Sequence, residues 1–244
     1  MLYVAERQTG AALDFLQTEI RSHPNDALLY HQMAQVFLLE NKRDQAVSAL
    51  QKALSLAPGM PDSAALLADL YVADNKAEQA NQLLNESLQK YPRDADLLLH
   101  AGMIFEKIER WDDARKAYER VLQIDGENAV AKNNIAWLLV EHGGNIDVAL
   151  NLAQQAKEAL GDDLQVTNTI GWIYYQKGVY QTAWTYLKES AQKDQKNAIF
   201  QYHLGMACWK LGRREEARAA LLNALKLNPN VQEAHLAREV LTQL

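Results

Sequence analysis

The chain has 244 residues, 48% of them apolar and 23% charged, with a formal net charge of −6 and a pI near 5.5. That balance suits an ordered chain and withholds the basic stripe that a nucleic-acid surface needs. The single cysteine, Cys208, excludes an internal disulfide framework, and no apolar run approaches the ~20 residues of a membrane-spanning helix.

Helix formers dominate throughout, and no stretch alternates Val, Ile and Thr at period two. Residues 1–7 contain no basic segment leading into an apolar core, so they do not read as a secretion signal, and the compartment stays open. Residues 1–26 read as a partial unit. Ala12 and Pro24 occupy the slots that Ala46 and Pro58 fill in the next unit, and Tyr3 matches Phe37. The first helix of that partial unit needs about eight residues more than the chain supplies before Met1. The chain is therefore expected to be a fragment, or a piece that docks or self-associates through this incomplete repeat.

Six full units follow, at 27–60, 61–94, 95–128, 129–163, 164–197 and 198–231. Each carries a small residue in its first half: Ala34, Ala68, Gly102, Ala136, Gly171 and Gly205. A second small series, Ala46, Ala80, Ala114, Ala149, Ala183 and Ala217, marks the second half. One residue inserted in the turn at 141–145 accounts for the single long spacing. Such a unit reads as two helices joined by a short polar turn, with the small residues letting the helices approach closely. Pro24, Pro58, Pro92 and Pro229 fall in phase where the second helix must stop, with Gly126, Gly161 and Gln195 in the same slot elsewhere, and Pro61 suits a first helical turn. The end of the chain, 232–244, reads as a capping helix that docks through Ala234, Leu236, Val240 and Leu241.

Small residues at these spacings, a large residue three later (Phe37, Tyr71, Phe105, Leu139, Tyr174, with Cys208 as the departure) and a terminal proline resemble the tetratricopeptide repeat. The resemblance covers the whole chain and implies an all-α, right-handed solenoid of stacked antiparallel helix pairs, with protein binding as its function. The segments 133–139 and 169–175 look like the last repeats of long bacterial proteins of this family, some of them associated with the cell envelope or exopolysaccharide export.

The resemblance implies that first helices line the concave side. Its inward slots hold Gln35, Asp69, Met103, Trp137, Trp172 and Met206; one turn on come Leu38, Val72, Glu106, Val140, Tyr175 and Trp209; one turn back come His31, Ala65, Leu99, Asn133, Asn168 and Tyr202. An apolar strip emerges in 95–231: Met103, Trp137, Trp172, Tyr175, Tyr202, Met206 and Trp209, with Asn133, Asn134 and Asn168 placed to bond a ligand backbone. Two readings of Trp137 and Trp172 stand side by side, anchors for a partner or filling between neighbouring first helices. A carboxylate-gripping groove is disfavoured, because the slots before the tryptophans carry neither Lys nor Arg, and Lys107 and Lys210 are far apart.

No catalytic constellation accompanies the pattern. The six histidines form no i, i+4 pair, and Asp112–Asp113 and Asp162–Asp163 fall where carboxylates cap helices. The expectation is a non-enzymatic, cofactor-free and metal-free adaptor for a protein or peptide segment. A self-associating scaffold, or an accessory domain of a larger assembly, is the alternative.

Overall fold

A computed structural model describes residues 8–230 and 234–244. The slot assigned to Tyr3, and Val231, Gln232 and Glu233 ahead of the capping helix, lie outside them. The described residues are helical, without a strand, and divide into two compact units, Met1–Gly126 and Glu127–Leu244. The first holds α1 (Thr9–Ser22), α2 (Ala27–Leu39), α3 (Arg43–Leu56), α4 (Pro61–Ala73), α5 (Ala77–Lys90), α6 (Ala95–Lys107) and α7 (Trp111–Ile124). The second holds α8 (Ala129–Glu141), α9 (Ile146–Leu160), α10 (Leu164–Gln176), α11 (Tyr180–Lys193), α12 (Ala198–Lys210), α13 (Arg214–Leu227) and α14 (Ala234–Gln243). Among the described residues no helix is long and apolar enough to cross a membrane.

Local chemistry explains the helix ends. First helices open on side-chain caps: Asp26, Asp94, Asn128, Asp163 and Asn197 each accept a backbone N–H of the first turn, and Pro61 starts α4. Each full unit's first helix closes with a left-handed residue, at Asn41, Asn75, Glu109, Gly143, Gly178 and Gly212. The next N–H then bonds back to the large-slot residue, as Lys42 N does to Phe37 O at 2.8 Å and Arg213 N to Cys208 O at 2.9 Å. The residue inserted in the long unit is taken up after Gly143, and it moves Asn145 to the start of α9. There Asn145 Oδ1 accepts from Asp147 and Val148, whereas α3, α5, α7, α11 and α13 start without a side-chain cap. Of the acidic pairs, Asp163 is a cap as expected. Asp112 and Asp113 sit in the first turn of α7 without capping it, and Asp113 instead accepts from Arg110 Nε at 2.6 Å.

Helix pairs close through the two small series, whose alanines, at 34, 46, 68, 80, 114, 136, 149, 183 and 217, are fully buried. Where glycine stands in the first helix, the second comes closer than a methyl group allows. A Cβ on Gly102 would lie 2.3 Å from the Tyr118 ring, one on Gly171 2.7 Å from Leu187, and one on Gly205 2.6 Å from Leu221. Cys208 packs as a small apolar residue, fully buried. The last helix docks through Ala234, Ala237 and Val240, with Leu236 and Leu241 half-buried.

The Tyr118 ring cannot retreat easily, because its hydroxyl donates to Glu106 Oε1 at 2.5 Å. Gly102→Ala is therefore expected to cost about 1–3 kcal/mol through overpacking, despite the roughly 1 kcal/mol that alanine gains over glycine in a helix. A thermal melt of the variant at the wild-type midpoint would contradict this contact.

Candidate functional site

The expected partner-binding residues divide sharply by exposure. Asn133, Asn168, Trp172, Tyr175, Tyr202 and Met206 are buried, between 1% and 9% exposed, whereas Asn134, Trp137 and Trp209 are half-buried and Met103 is 38% exposed. Nine of the ten lie in the second unit; Met103 lies in the first.

In the second unit the aromatic residues of three successive first helices meet. The Trp172 indole of α10 is stacked on Tyr175 at 4.5 Å and on His203 of α12 at 4.0 Å, and the Trp137 ring of α8 tilts against the same histidine at 5.7 Å. Trp172 Nε1 donates to Glu141 Oε1 on α8 at 2.5 Å. These contacts join the first helices to one another, as the filling reading of Trp172 requires. Trp137, Val140 and Trp209 pack on the same cluster and keep part of their surface open.

The amides have separate fates. Asn168 is consumed internally: its Nδ2 donates to Ser190 Oγ at 3.2 Å and its Oδ1 accepts from His203 Nδ1 at 2.7 Å. Asn133 stands in the same repeat slot on α8, and the register that gives Asn168 its histidine gives Asn133 Thr169. Thr169 is too short to serve, and its hydroxyl donates to Gln165 O at 3.0 Å. Asn133 Oδ1 is left buried without a hydrogen-bond partner among the described residues, while its Nδ2 reaches Asn134 Oδ1 at 3.4 Å.

Electrostatics follow from this packing. Burial pushes the Glu141 carboxyl up, partly offset by the Trp172 bond, and pushes the Tyr175 phenol up to about 12. Burial alone holds His203 down to about 3, so the imidazole is neutral. Burial also raises Cys208 to about 11, which keeps the thiol protonated and unreactive as a nucleophile. Among the described residues no group of three or more His, Cys, Asp or Glu is placed to hold a metal ion.

Met103 of the first unit has different company on α6. Across α4 and α6, Asp69 bonds His100 Nε2 at 2.8 Å and Lys107 Nζ at 3.0 Å, and these donors hold its carboxyl below the usual range. The histidine, glutamate and serine partners of the first helices escaped the sequence analysis, which read residues slot by slot. Pairs such as His31–Ser63, Asp69–His100, Glu141–Trp172 and Asn168–His203 lie 31 to 35 residues apart. Comparing each slot with its neighbours one period away is the signal that finds them.

Comparison with known proteins agrees with this architecture. Family models described as tetratricopeptide repeat match residues 37–101, 96–125 and 198–231. The chain is similar to TPR repeat-containing protein PA4667 of Pseudomonas aeruginosa, 28% identical over 187 residues, covering 76% of this chain and 30% of that protein. The chain thus spans under a third of that relative's length. Among solved structures it resembles a tetratricopeptide repeat protein from Parabacteroides merdae, at TM-score 0.75 and 16% identity, covering 98% and 93% of the two chains. It also resembles pilF of Pseudomonas aeruginosa, at TM-score 0.67 and 20% identity, covering 90% and 98%.

Two consequences of the site's polar geometry are measurable. Asn168→Leu strands His203 and Ser190 and is expected to cost about 1–3 kcal/mol in chemical denaturation; Asn133→Leu removes an acceptor that nothing satisfies and is expected to be neutral or stabilising. Equal losses from both would refute the difference between the two slots. For Glu141, a folded-state pKa above the unfolded one means a contribution present in acid and lost as pH rises through the folded value, so the ionised carboxylate is a burden at neutral pH. Glu141→Gln keeps an oxygen for Trp172 Nε1 and is expected to raise the melting temperature at pH 7, with the gain shrinking as pH falls through the raised folded value and gone below the ordinary glutamate value of about 4. A pH-independent difference would rule out the carboxylate's charge as the cause.

Proposed function

We propose that this chain of tetratricopeptide repeats is a non-catalytic adaptor that takes an extended or helical segment of another protein on the first-helix face of its second unit. The observation that carries the reading is the surface left once the helix joints are made. Trp137, Val140 and Trp209 stay partly open over one packed cluster, Asn134 stands beside them, and none of the four is charged. Half-open aromatic groups on a rigid base are the usual composition of a binding hot spot, and neighbouring amides supply register. In this reading Trp172, Tyr175, Tyr202, Met206, Asn168 and Asn133 support the surface from beneath, the unsatisfied oxygen of Asn133 being itself buried. The likeness of 133–139 and 169–175 to repeats of envelope or exopolysaccharide-export proteins makes a component of such an assembly the first natural partner to test.

A second reading, self-association, is favoured by a different observation at the opposite end of the sequence. Phe15, Leu28 and Leu39 of the first unit are 50–55% exposed, and a cleft of about 390 Å³ opens there between Tyr30, Met33 and Phe37 of α2 and Gln45, Ser48 and Lys52 of α3. Solution mass that rises with concentration, and that falls back when Phe15 and Leu28 are made polar, would establish it.

The adaptor reading is tested by selecting binders from a display library of random peptides against the whole chain. Trp137→Ala is expected to weaken the selected peptides at least tenfold per folded molecule with a modest stability loss, whereas Trp172→Ala should cost about 3–5 kcal/mol of stability. Peptides that bind Trp137→Ala as tightly as wild type would place the binding surface elsewhere.

A further inference from the structure

His203 is 2% exposed and lies where α8, α10 and α12 come together. The amide of Asn168 fixes its tautomer. Because the amide nitrogen is spent on Ser190, the oxygen faces the imidazole and Nδ1 must carry the hydrogen. In acid the second proton has to enter at Nε2, on a ring stacked at 4.0 Å on Trp172 and flanked by Tyr202 at 5.6 Å and Trp137 at 5.7 Å. The ionisable groups on the packed helices give that proton little help. From α8, the Glu141 carboxyl accepts from the Trp172 indole N–H; from α10 comes the Tyr175 phenol, and from α12 itself the Tyr202 phenol. On α11, Lys188 lies over Trp184 and Glu189 pairs with Lys193; beside α13, Arg213 covers Trp184 and pairs with Glu216.

We propose that His203 makes the joint between α10 and α12 acid-labile, so that a segment held over Trp137 is released when the surroundings acidify. The release half of this rests on the adaptor reading; the lability of the joint does not. The sign follows from linkage. An imidazole exposed by opening takes a proton below its ordinary value of 6.5, while the closed joint refuses one until about 3. Acid therefore favours the open form across that window, by roughly tenfold in the opening equilibrium for each pH unit. Protonation leaves the Nδ1–H bond to Asn168 in place but adds a charge and an Nε2–H donor to a ring enclosed by Trp172, Tyr202 and Trp137, and only opening of the joint lets water solvate them.

The test uses the full chain without a ligand. Amide hydrogen exchange of α10 and α12, corrected for intrinsic rates, is followed from pH 7 to pH 4 in wild type and in His203→Gln, whose amide still offers Asn168 a donor. Imidazole titration of His203 is read in parallel by NMR. The expected result is opening that grows more steeply with acid in wild type than in His203→Gln, by roughly tenfold per pH unit below 6.5, and a His203 resonance that stays neutral to below pH 4 in the closed state. The proposal is overturned by equal slopes in the two proteins, or by a His203 that titrates near 6.5 while α10 and α12 keep their protection. Should His203→Gln fail to fold, wild type alone still decides: opening that does not grow in acid, or a His203 that titrates near 6.5 while α10 and α12 keep their protection, overturns the proposal. Because no ligand is used, failure of the adaptor reading would leave these results unchanged, and peptide release in acid becomes a separate measurement.

Discussion

Each helix pair depends on one close contact, a small residue of the first helix lying against a larger one of the second. At Gly102, Gly171 and Gly205 the approach leaves no room for a methyl group, and at Ala34, Ala68 and Ala136 the methyl itself is fully buried. This contact sets how near the two axes come and hence how the ridges on either side can interlock. Everything outside the pair is then built by repetition: the left-handed turn residue, the N–H returning to the large slot, and the face offered to the next pair. A solenoid of this kind has no central core, so its stability is the sum of pairs and joints.

The joints, by contrast, differ from place to place. In the first unit neighbouring first helices are linked by polar and charged side chains, His31 to Ser63 and Asp69 to His100 and Lys107. In the second unit the links are more enclosed, a stack of Tyr175, Trp172 and His203 with Asn168 and Ser190 behind it and the Glu141 carboxyl on the indole N–H. A partly exposed ion pair contributes roughly 0–1 kcal/mol and is screened by salt. A buried, nearly satisfied amide and aromatic network contributes rigidity and register, but a single unsatisfied atom inside it is expensive. The second unit thus has the stiffer and more selective joint, and also the one most exposed to a misplaced proton.

The fold was largely legible because it is written in period. Spacing alone locates the close contacts, the proline stops and the insertion at 141–145, and the structure adds a reason for the insertion by turning Asn145 into a cap. What spacing misses is the choice among neighbours a period apart. Nothing in the slot of Asn133 distinguishes it from Asn168; the difference comes from Thr169 and His203, one repeat further on. The same blindness applies to the aromatic strip. The slots of Trp137 and Trp172 are equivalent, yet one indole is half-open and the other is clamped between two rings.

A first helix in such an array has one face for two tasks, joining the next first helix and meeting a partner. The residues suited to both are the same, large aromatic groups with a polar edge. Trp172 has its edge on Glu141 and both faces covered, so it serves the joint; Trp137 touches His203 with part of its surface and keeps the rest. Because Trp137 leans on the ring that Trp172 and Asn168 hold in place, a partner bound over Trp137 would bear on the joint, and strain in the joint would be felt by the partner. Coupling of that kind needs no hinge and no distant pathway. On the adaptor reading it follows from one histidine standing between Trp172, which serves the joint, and Trp137, which would meet the partner.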